Sequence, residues 1–353
     1  MAAPRGAEQL LIEQIAELHG QRVLCTSLGR AQLAAALAGQ DPRRRVVCFF
    51  LDLYLAQRAA EQCGAGLVTV KPQPAAQGSN LSIVCQADLP GDEIDLAALP
   101  FHAQGEAELT REILQQAHQA LRIGGRLYAA TDNPRDIWLA QELGKLFANV
   151  QRRAAPQGAI YAAVKTAPLA KLKDFTCELV FRDGPHLVRA VSRPGVFAHR
   201  RVDAGARAIL RTMEVGPGQR VCDMGCGSGV LALAAAMRAE GVSVHALDSN
   251  PRAIECLGRG AALNGLGSIT AELDAAGNCP AESFDLFLAN PPYYSDFRIA
   301  EVFVRAALGG LRRGGRMLLV TKSPDWYAEH LPERFAEVEI RRDRDYTIVA
   351  ATR

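Results

Sequence analysis

Residues 220–236, RVCDMGCGSGVLALAAA, place an apolar run, a glycine-rich loop and an alanine-rich helical pattern directly after one another. Residues 22–38, RVLCTSLGRAQLAAALA, repeat this order near the start of the chain. Further along each half, an aspartate precedes a Gly-Gly turn by 29 residues, in Asp95–Gly124 and again in Asp285–Gly314. Self-similarity at this scale indicates that the 353-residue chain is a duplicated domain.

Each half alternates apolar, β-rich runs with helical patterns, which is typical of a mainly parallel sheet with helices on both faces. Proline and lysines interrupt this alternation in the stretch TAPLAKLKD, Thr166 to Asp174. We therefore predict a first domain over residues 1–166, a linker over 167–174 and a second domain over 175–353.

The composition favours a cytoplasmic globular protein. Hydrophobic residues make up 49% of the chain and charged residues 22%, so each half can bury a core. No apolar run approaches the roughly 18 residues of a membrane span, and the acidic residues near the start are untypical of a secretory signal. The nine cysteines include no C-x-x-C pair. They predict free thiols in a reducing compartment and no metal site.

Positive charge is concentrated in the middle of the chain. Residues 165–211 contain ten Lys and Arg against four Asp and Glu, a local balance of +6 in a chain of net charge +2. One interpretation is a solvated linker face. The other is an RNA phosphate-binding surface, whose candidates in the stretch SRPGVFAHRR are Arg193, His199, Arg200 and Arg201.

The two halves differ where an open α/β sheet binds its ligands, in the loops beyond the carboxyl ends of the strands. The second half has DMGCGSG at residues 223–229, whereas the first has CTSLGR with a single glycine at residues 25–30. Likewise NPPYY at residues 290–294 corresponds to PFHAQ at residues 100–104. We infer one active domain and one degenerate domain.

The glycine loop has two interpretations. GSGVLA formally fits the dinucleotide pattern G-x-G-x-x-A, but counting from the strand, Gly225-x-Gly227-x-x-Val230 does not. An acidic residue followed by G-x-G-x-G, from Asp223 through Gly225 and Gly227 to Gly229, resembles the cofactor loop of class I S-adenosylmethionine-dependent methyltransferases. In that family the loop packs against the methionine portion of the cofactor.

The methyltransferase resemblance implies further cofactor ligands and a fold. Asp248 occupies the position of the carboxylate that accepts the ribose hydroxyls, and Asp274 matches the acidic position that contacts the adenine amino group. The implied architecture is two tandem Rossmann-like domains, each a mostly parallel seven-stranded sheet with helices on both faces. The implied cofactor is S-adenosyl-L-methionine.

The stretch LANPPYY, residues 288–294, lies across the predicted crevice from the glycine loop. Asn-Pro-Pro-aromatic resembles the signature of methyltransferases that act on amino nitrogens conjugated to a ring or carbonyl. The Asn290 side-chain oxygen and the Pro291 carbonyl are the predicted N–H acceptors. Pro291 and Pro292 fix φ and hold that carbonyl still, while Tyr293 is expected to stack on the flat substrate.

Nearly the whole chain is similar to the bacterial ribosomal RNA guanine-N2 methyltransferases, which pair a degenerate domain with a catalytic one. A PGVF segment followed by Asp and Gly marks that group, here at Pro194, Gly195, Val196, Phe197, Asp203 and Gly205. The resemblance implies that this segment covers the cofactor and that Asp203 caps the next helix. Tyr293-Tyr294 replaces the usual Phe-His, which leaves the base open.

Three functions remain open on the sequence. The first is methylation of guanine N2 in ribosomal RNA, with the RNA or a ribosomal subunit as partner, no membrane and a monomeric state. The second keeps the chemistry but targets adenine N6 or a protein glutamine. The third is a ribosome-assembly factor that binds RNA without turnover. We expect the first domain to have no cofactor site and to be a scaffold that positions RNA.

Overall fold

The computed structural model describes residues 5–69, 79–91, 93–292 and 297–353. The chain divides into two compact units, Met1–Phe175 and Thr176–Arg353, here called unit 1 and unit 2. The division lies directly after the stretch 167–174 that the sequence marks as a linker.

The described residues of unit 1 form a single sheet with helices between its strands. Its strands stand in the order β3-β4-β2-β1-β5-β6-β8-β7. The first six are parallel, and β8 and β7 are antiparallel additions. In chain order the elements are α1 (Gly6–Glu13), β1 (Arg22–Thr26), α2 (Gln32–Gln40), β2 (Arg45–Phe50), α3 (Leu53–Cys63), β3 (Gly66–Val68), β4 (Leu81–Cys85), β5 (Ile94–Phe101), α4 (Ala107–Ala120), β6 (Leu121–Thr131), α5 (Trp138–Gly144), β7 (Val150–Ala155) and β8 (Gly158–Val164).

Unit 2 has a similar sheet, which a two-stranded hairpin precedes in the sequence. The sheet order is β13-β12-β11-β14-β15-β17-β16, and β9 pairs with β10 separately. In chain order the elements are β9 (Cys177–Asp183), β10 (His186–Ser192), α6 (Ala204–Thr212), β11 (Arg220–Met224), α7 (Val230–Arg238), β12 (Ser243–Asp248), α8 (Pro251–Leu263), β13 (Ile269–Leu273), β14 (Phe284–Ala289), α9 (Arg298–Gly310), β15 (Leu311–Thr321), α10 (Asp325–His330), β16 (Glu337–Asp343) and β17 (Tyr346–Thr352).

The predicted fold class of two Rossmann-like α/β domains is confirmed, with one correction. The second sheet has seven strands, but the first has eight. The extra strand is β3, a three-residue edge strand that pairs with β4. In unit 2 a short turn after α8 leads straight into β13, whereas the longer connection after α3 leaves room for an added edge strand.

Alternation along the strands of unit 2 fills a core on each face of the sheet. Leu286 and Leu288 of β14 face a cluster that includes residues of α6, α7 and α8. Phe287 and Ala289 face the opposite cluster, with residues of α9 and α10. These buried faces hold the carboxyl ends of the strands in fixed positions.

The duplication extends to individual hydrogen bonds. The Asp95 carboxylate accepts the backbone N–H of Arg22, and the Asp285 carboxylate accepts that of Arg220, each at the start of the first strand of its unit. The backbone of Gly124 and Gly125 exchanges two hydrogen bonds with Lys165, and Gly314 and Gly315 do the same with Arg353. The two units therefore share one framework, and their differences are local.

Candidate functional site

The predicted site residues of unit 2 lie together at the carboxyl edge of its parallel strands. Met224, the last residue of β11, is in register with Leu247 of β12 on one side and Ala289 of β14 on the other. The next residues along these strands are Gly225, Asp248 and Asn290. Since neighbouring strands lie roughly 4.8 Å apart, the glycine loop is placed between the carboxylate and the carboxamide.

The glycine loop turns sharply between β11 and α7. The Gly225 N–H donates to the Leu247 carbonyl oxygen at 2.7 Å, which ties the loop to β12. A Cβ at Gly225 would lie 3.1 Å from Phe303, and one at Gly229 would lie 2.5 Å from Leu257, whereas a Cβ at Gly227 would meet nothing within 4 Å. Gly225 and Gly229 are therefore packed against the domain, and Gly227 faces open space.

Asp223 lies in β11, directly before the glycine loop, and its buried side chain contacts the helix that follows the loop. Its side chain is 1% exposed and accepts the Ala232 backbone N–H in the first turn of α7 at 3.0 Å. Burial raises the pKa of the Asp223 carboxyl to about 7, and the charge of Asp248 acts in the same direction, while the Ala232 N–H opposes the shift. Asp223 thus lies inside the domain and orients the helix start.

Asp248 connects the glycine loop to the start of α8. One carboxylate oxygen accepts the Gly227 N–H at 2.8 Å and the other accepts the Asn250 N–H at 2.8 Å. An ionised carboxylate only accepts hydrogen bonds, which suits it to the hydroxyl groups of a ligand. Its placement suits the predicted ribose contact.

Asp274 follows β13 and is engaged within its own loop. One carboxylate oxygen accepts the backbone N–H groups of Ala276, Gly277 and Asn278, and the other accepts the Asn278 side-chain amide at 2.9 Å. The Asp274 backbone N–H in turn donates to the Asp248 carbonyl oxygen. The carboxylate shapes the loop at this edge, and its adenine contact stays a prediction.

Asn290 is held by an acidic partner. Its side-chain nitrogen donates to the Asp203 carboxylate at 3.0 Å, and the same carboxylate oxygen accepts the Ala206 N–H at the start of α6. A carboxylate that accepts both bonds requires the nitrogen of the amide to face it, so the Asn290 oxygen points elsewhere. Pro291 is buried and Pro292 half-buried. Tyr293 lies outside the described residues.

A family model matches the part of the chain that contains this site. Residues 188–350 match the family model described as methyltransferase small domain. This segment contains the glycine loop, both strand-end carboxylates and Asn290. This segment is thus similar to methyltransferase small domains.

Several curated relatives of the chain carry the same name. The chain is 32% identical over 202 residues to ribosomal RNA small subunit methyltransferase C of Pseudomonas putida, a match that covers 56% of this chain and 60% of that protein. The protein of the same name from Chromohalobacter salexigens is 33% identical over 174 residues, covering 46% of this chain and 51% of the relative. The chain thus spans roughly half to three fifths of the curated relatives it matches.

A solved structure matches the architecture of the full chain. The T. thermophilus 16S rRNA N2 methyltransferase RsmC, in complex with AdoMet and guanosine, superposes with a TM-score of 0.75 and 22% identity. The match covers 99% of this chain and 94% of that one. This likeness supports the fold of both units.

The segment that precedes α6, residues 193–203, also contacts this site, and we call it the strap. The Arg252 guanidinium, fully buried in α8, donates to the Pro194 carbonyl oxygen at 2.6 Å. The Asn250 side-chain amide donates to the Gly195 carbonyl oxygen at 2.6 Å. Asp203 ends the strap at Asn290. The strap therefore runs from the carboxylate side of the site to the carboxamide.

Asn250 and Arg252 are site-supporting residues that the motif analysis did not identify. Asn250 is the N-cap of α8, accepts the Arg252 N–H with its side chain and is followed by a proline in the first turn. An asparagine before a proline is a readable helix-start signal. The contact of either side chain with the strap, 55 or more residues earlier, leaves no trace in local spacing.

The four residues predicted to bind RNA occupy different environments. Arg193 is buried, its side chain 8% exposed, and its guanidinium pairs with Glu255 at 2.8 Å. The guanidinium is therefore engaged within unit 2, and its contact with RNA stays a prediction. His199 is half-buried beside the Ser192 hydroxyl at 3.1 Å. Arg200 and Arg201 are exposed.

Two further features bear on the site. Cys222 and Cys226 are buried free thiols, and within the described ranges no three His, Cys, Asp or Glu side chains form a group that could hold a metal ion. Across the same residues, no helix is both long and apolar enough to cross a lipid bilayer.

Proposed function

We propose that this protein is an S-adenosylmethionine-dependent RNA methyltransferase that modifies the exocyclic N2 of a guanine in ribosomal RNA. The observation that carries the proposal is the Asn290 amide, held by Asp203 next to the glycine loop. The names of the curated relatives and the guanosine complex of the T. thermophilus structure support the choice of substrate.

The edge of unit 2 has the features that S-adenosylmethionine requires. The loop at Gly225, Gly227 and Gly229 would receive its methionine portion, because a ligand can approach the backbone at Gly227 where a Cβ would enter open space. Asp248 would accept the ribose hydroxyls, and Asp274 would contact the adenine amino group. When bound, the cofactor supplies an electrophilic methyl group on a sulfonium sulfur.

Asn290 and Pro291 would position the acceptor nitrogen. The lone pair of a guanine N2 is delocalised into the ring, so the nitrogen is a weak nucleophile. The Asn290 side-chain oxygen and the Pro291 carbonyl would each accept one N–H and aim the lone pair at the methyl group. Placement of this kind supplies roughly 7 to 11 kcal/mol of a barrier. The N–C bond would form as the bond between the methyl carbon and the sulfonium sulfur breaks, so that S-adenosylhomocysteine leaves and the nitrogen loses one proton to water.

Arg200 and Arg201 are the proposed phosphate contacts near the site, since both are exposed on the strap. Unit 1 is proposed to be a scaffold that positions the RNA, because it retains the framework of unit 2 without the glycine loop or Asn-Pro-Pro. A monomer in the cytoplasm, with ribosomal RNA or a ribosomal subunit as partner, completes the proposal.

The test is methyl transfer from tritiated cofactor to unmodified ribosomal RNA and to isolated ribosomal subunits, followed by mass spectrometry of the nucleosides. Label in N2-methylguanosine is the expected result. Label in N6-methyladenosine or in protein glutamine would redirect the proposal to those acceptors. RNA binding without label on any substrate, at any assembly state, would favour the assembly factor instead.

Replacing Arg200 and Arg201 together by glutamate tests the phosphate contacts. We expect lower RNA affinity and a smaller dependence of affinity on salt concentration, because fewer counterions are released on binding. Arg182→Glu, an exposed site on the β9–β10 hairpin, is the matched control. An unchanged salt dependence in the double variant would assign the two arginines to a solvated face.

A further inference from the structure

The strap presents one aromatic ring outward. Phe197 is 63% exposed, whereas its neighbour Val196 is 2% exposed and packs with Val191, Ala253 and Cys256. Burying a phenyl ring is favourable, and the adjacent residue shows that an apolar pocket lies within reach of the strap. The outward position of Phe197 is therefore a specific property of this loop.

The strap backbone is held in an uncommon conformation around that ring. Ala198 has φ of 56° and Arg200 has φ of 68°, both in the left-handed region that residues with a Cβ rarely adopt. Such strain persists only where the surroundings impose it, and it concentrates at ligand sites. The hydrogen bonds to the carbonyl oxygens of Pro194 and Gly195 hold the segment that leads into these residues.

The position of the ring relative to the site follows from the two ends of the strap. At Gly195 the strap is bonded to Asn250, whose backbone N–H donates to Asp248. At Asp203 it is bonded to Asn290. Phe197 lies between these ends and is followed within four residues by the exposed Arg200 and Arg201.

We infer that Phe197 is a stacking platform for a base of the RNA strand that flanks the target nucleotide. The inference rests on the proposed function. A flat apolar ring followed closely by two exposed guanidinium groups fits a nucleotide, since the ring takes the base and the cations take the phosphates. A target base that leaves its stack to reach Asn290 removes a stacking contact from each neighbouring base. Stacking on Phe197 would replace that contact for one of them.

Substitution of Phe197 tests the platform against RNA binding and cofactor binding separately. We expect Phe197→Ala to weaken RNA binding by about ten-fold or more, measured by filter binding, and to leave S-adenosylhomocysteine affinity by calorimetry unchanged. Phe197→Trp should restore RNA affinity, because indole also stacks. Leu187→Ala removes a side chain of similar exposure, 52%, from β10 and should change neither quantity.

Each outcome of these measurements identifies what the Phe197 ring contacts. Loss of S-adenosylhomocysteine binding in Phe197→Ala would mean that the ring covers the cofactor, and unchanged RNA affinity would mean that it contacts no base; either result rejects the platform alone. If RNA binding depends on Phe197 but the wild-type protein transfers no methyl group, the proposed function fails and the platform stands. A wild-type protein that binds no RNA rejects both.

Discussion

The helix after the first strand begins differently in the two units. In unit 1 the Glu8 carboxylate, fully buried, accepts the backbone N–H groups of Leu28 and Leu33 and the Ser27 hydroxyl. In unit 2 the position that corresponds to Glu8 is Ala206, and the corresponding helix meets the loop around Gly227. Unit 1 fills its anion-attracting helix start with a carboxylate from α1, whereas unit 2 has an alanine at that place and binds the first turn of α7 through Asp223 of β11.

The same contrast holds at the fourth strand of the repeat. In unit 1, β5 continues in register with β6 through Pro100 and Phe101. In unit 2, β14 leaves the ladder after Ala289, so Asn290 stands beyond the sheet. Unit 1 therefore completes secondary structure where unit 2 interrupts it. The proposed ligand site lies at these interruptions.

The largest effect is expected at the position where β14 ends. Asn290→Ala should lower methyl transfer by about 100-fold or more, as removal of one preorganised hydrogen-bonding group does elsewhere. S-adenosylhomocysteine affinity should be retained. Pro100→Ala, at the corresponding position of unit 1, should leave turnover within a few-fold. Equal losses in the two variants, measured with tritiated cofactor, would contradict the assignment of one active copy.

Removing the carboxylate that fills unit 1 should cost stability without creating a site. Glu8→Ala leaves buried N–H groups unpaired, so the opening free energy of α2 should fall by about 1 to 3 kcal/mol, measured by hydrogen exchange. Glu13→Gln, exposed on the same helix, is the control. Cofactor-analogue stoichiometry should remain one per chain. A stoichiometry of two would show that Glu8 alone separates the two copies.

The N-cap positions of α2 and α7 predict changes of opposite sign. Both are left-handed, with φ of 61° at Ala31 and 79° at Gly229. Ala31→Gly should stabilise unit 1 by about 0.5 to 1 kcal/mol by removing strain. Gly229→Ala should destabilise unit 2 by about 1 to 3 kcal/mol, because its Cβ would lie 2.5 Å from Leu257. Hydrogen exchange in each unit measures both, and two changes of the same sign would refute the correspondence.

The two units should also respond oppositely to mild acid. Burial lowers the pKa of His118 in unit 1 to about 4, so its native state binds fewer protons than the unfolded chain and loses stability as the pH falls from 6.5. Burial raises the pKa of Asp223 in unit 2 to about 7, so unit 2 loses stability as the pH rises towards 7. Each slope is at most about 1.4 kcal/mol per pH unit.

Hydrogen exchange corrected for intrinsic rates, between pH 4.5 and 6.5, resolves these slopes by unit. Asp223→Asn should remove the slope of unit 2 and leave that of unit 1, and His118→Gln should do the reverse. A common slope in both units would mean that other groups dominate the titration.

The sequence predicted the framework because duplication supplied an internal control. Asp95 and Asp285 mark the same turn in both halves, and their hydrogen bonds coincide in the structure. The extra strand β3 was missed because its three residues give too short an apolar run to read a period. Local patterns therefore gave the order of elements and missed an edge.

The site was predictable in its motifs and not in its supports. The glycine loop and Asn290 can be recognised from short stretches of sequence, but Arg252 donates to a carbonyl oxygen 58 residues away. Arg193 looked like a surface cation because its neighbours are basic, and its partner Glu255 lies 62 residues later in the chain. Such pairings depend on tertiary structure, which residue spacing does not encode.

The two hydrogen bonds to one Asp203 oxygen restrict which substitutions this site can accept during evolution. Since this oxygen accepts both the first-turn N–H of α6 and the Asn290 amide, no substitution at this position can alter the helix start and leave the amide untouched. The fold of α6 and the orientation of the proposed acceptor amide therefore depend on the same side chain. A lineage that drifts towards another acceptor nitrogen must therefore find its variation at other positions.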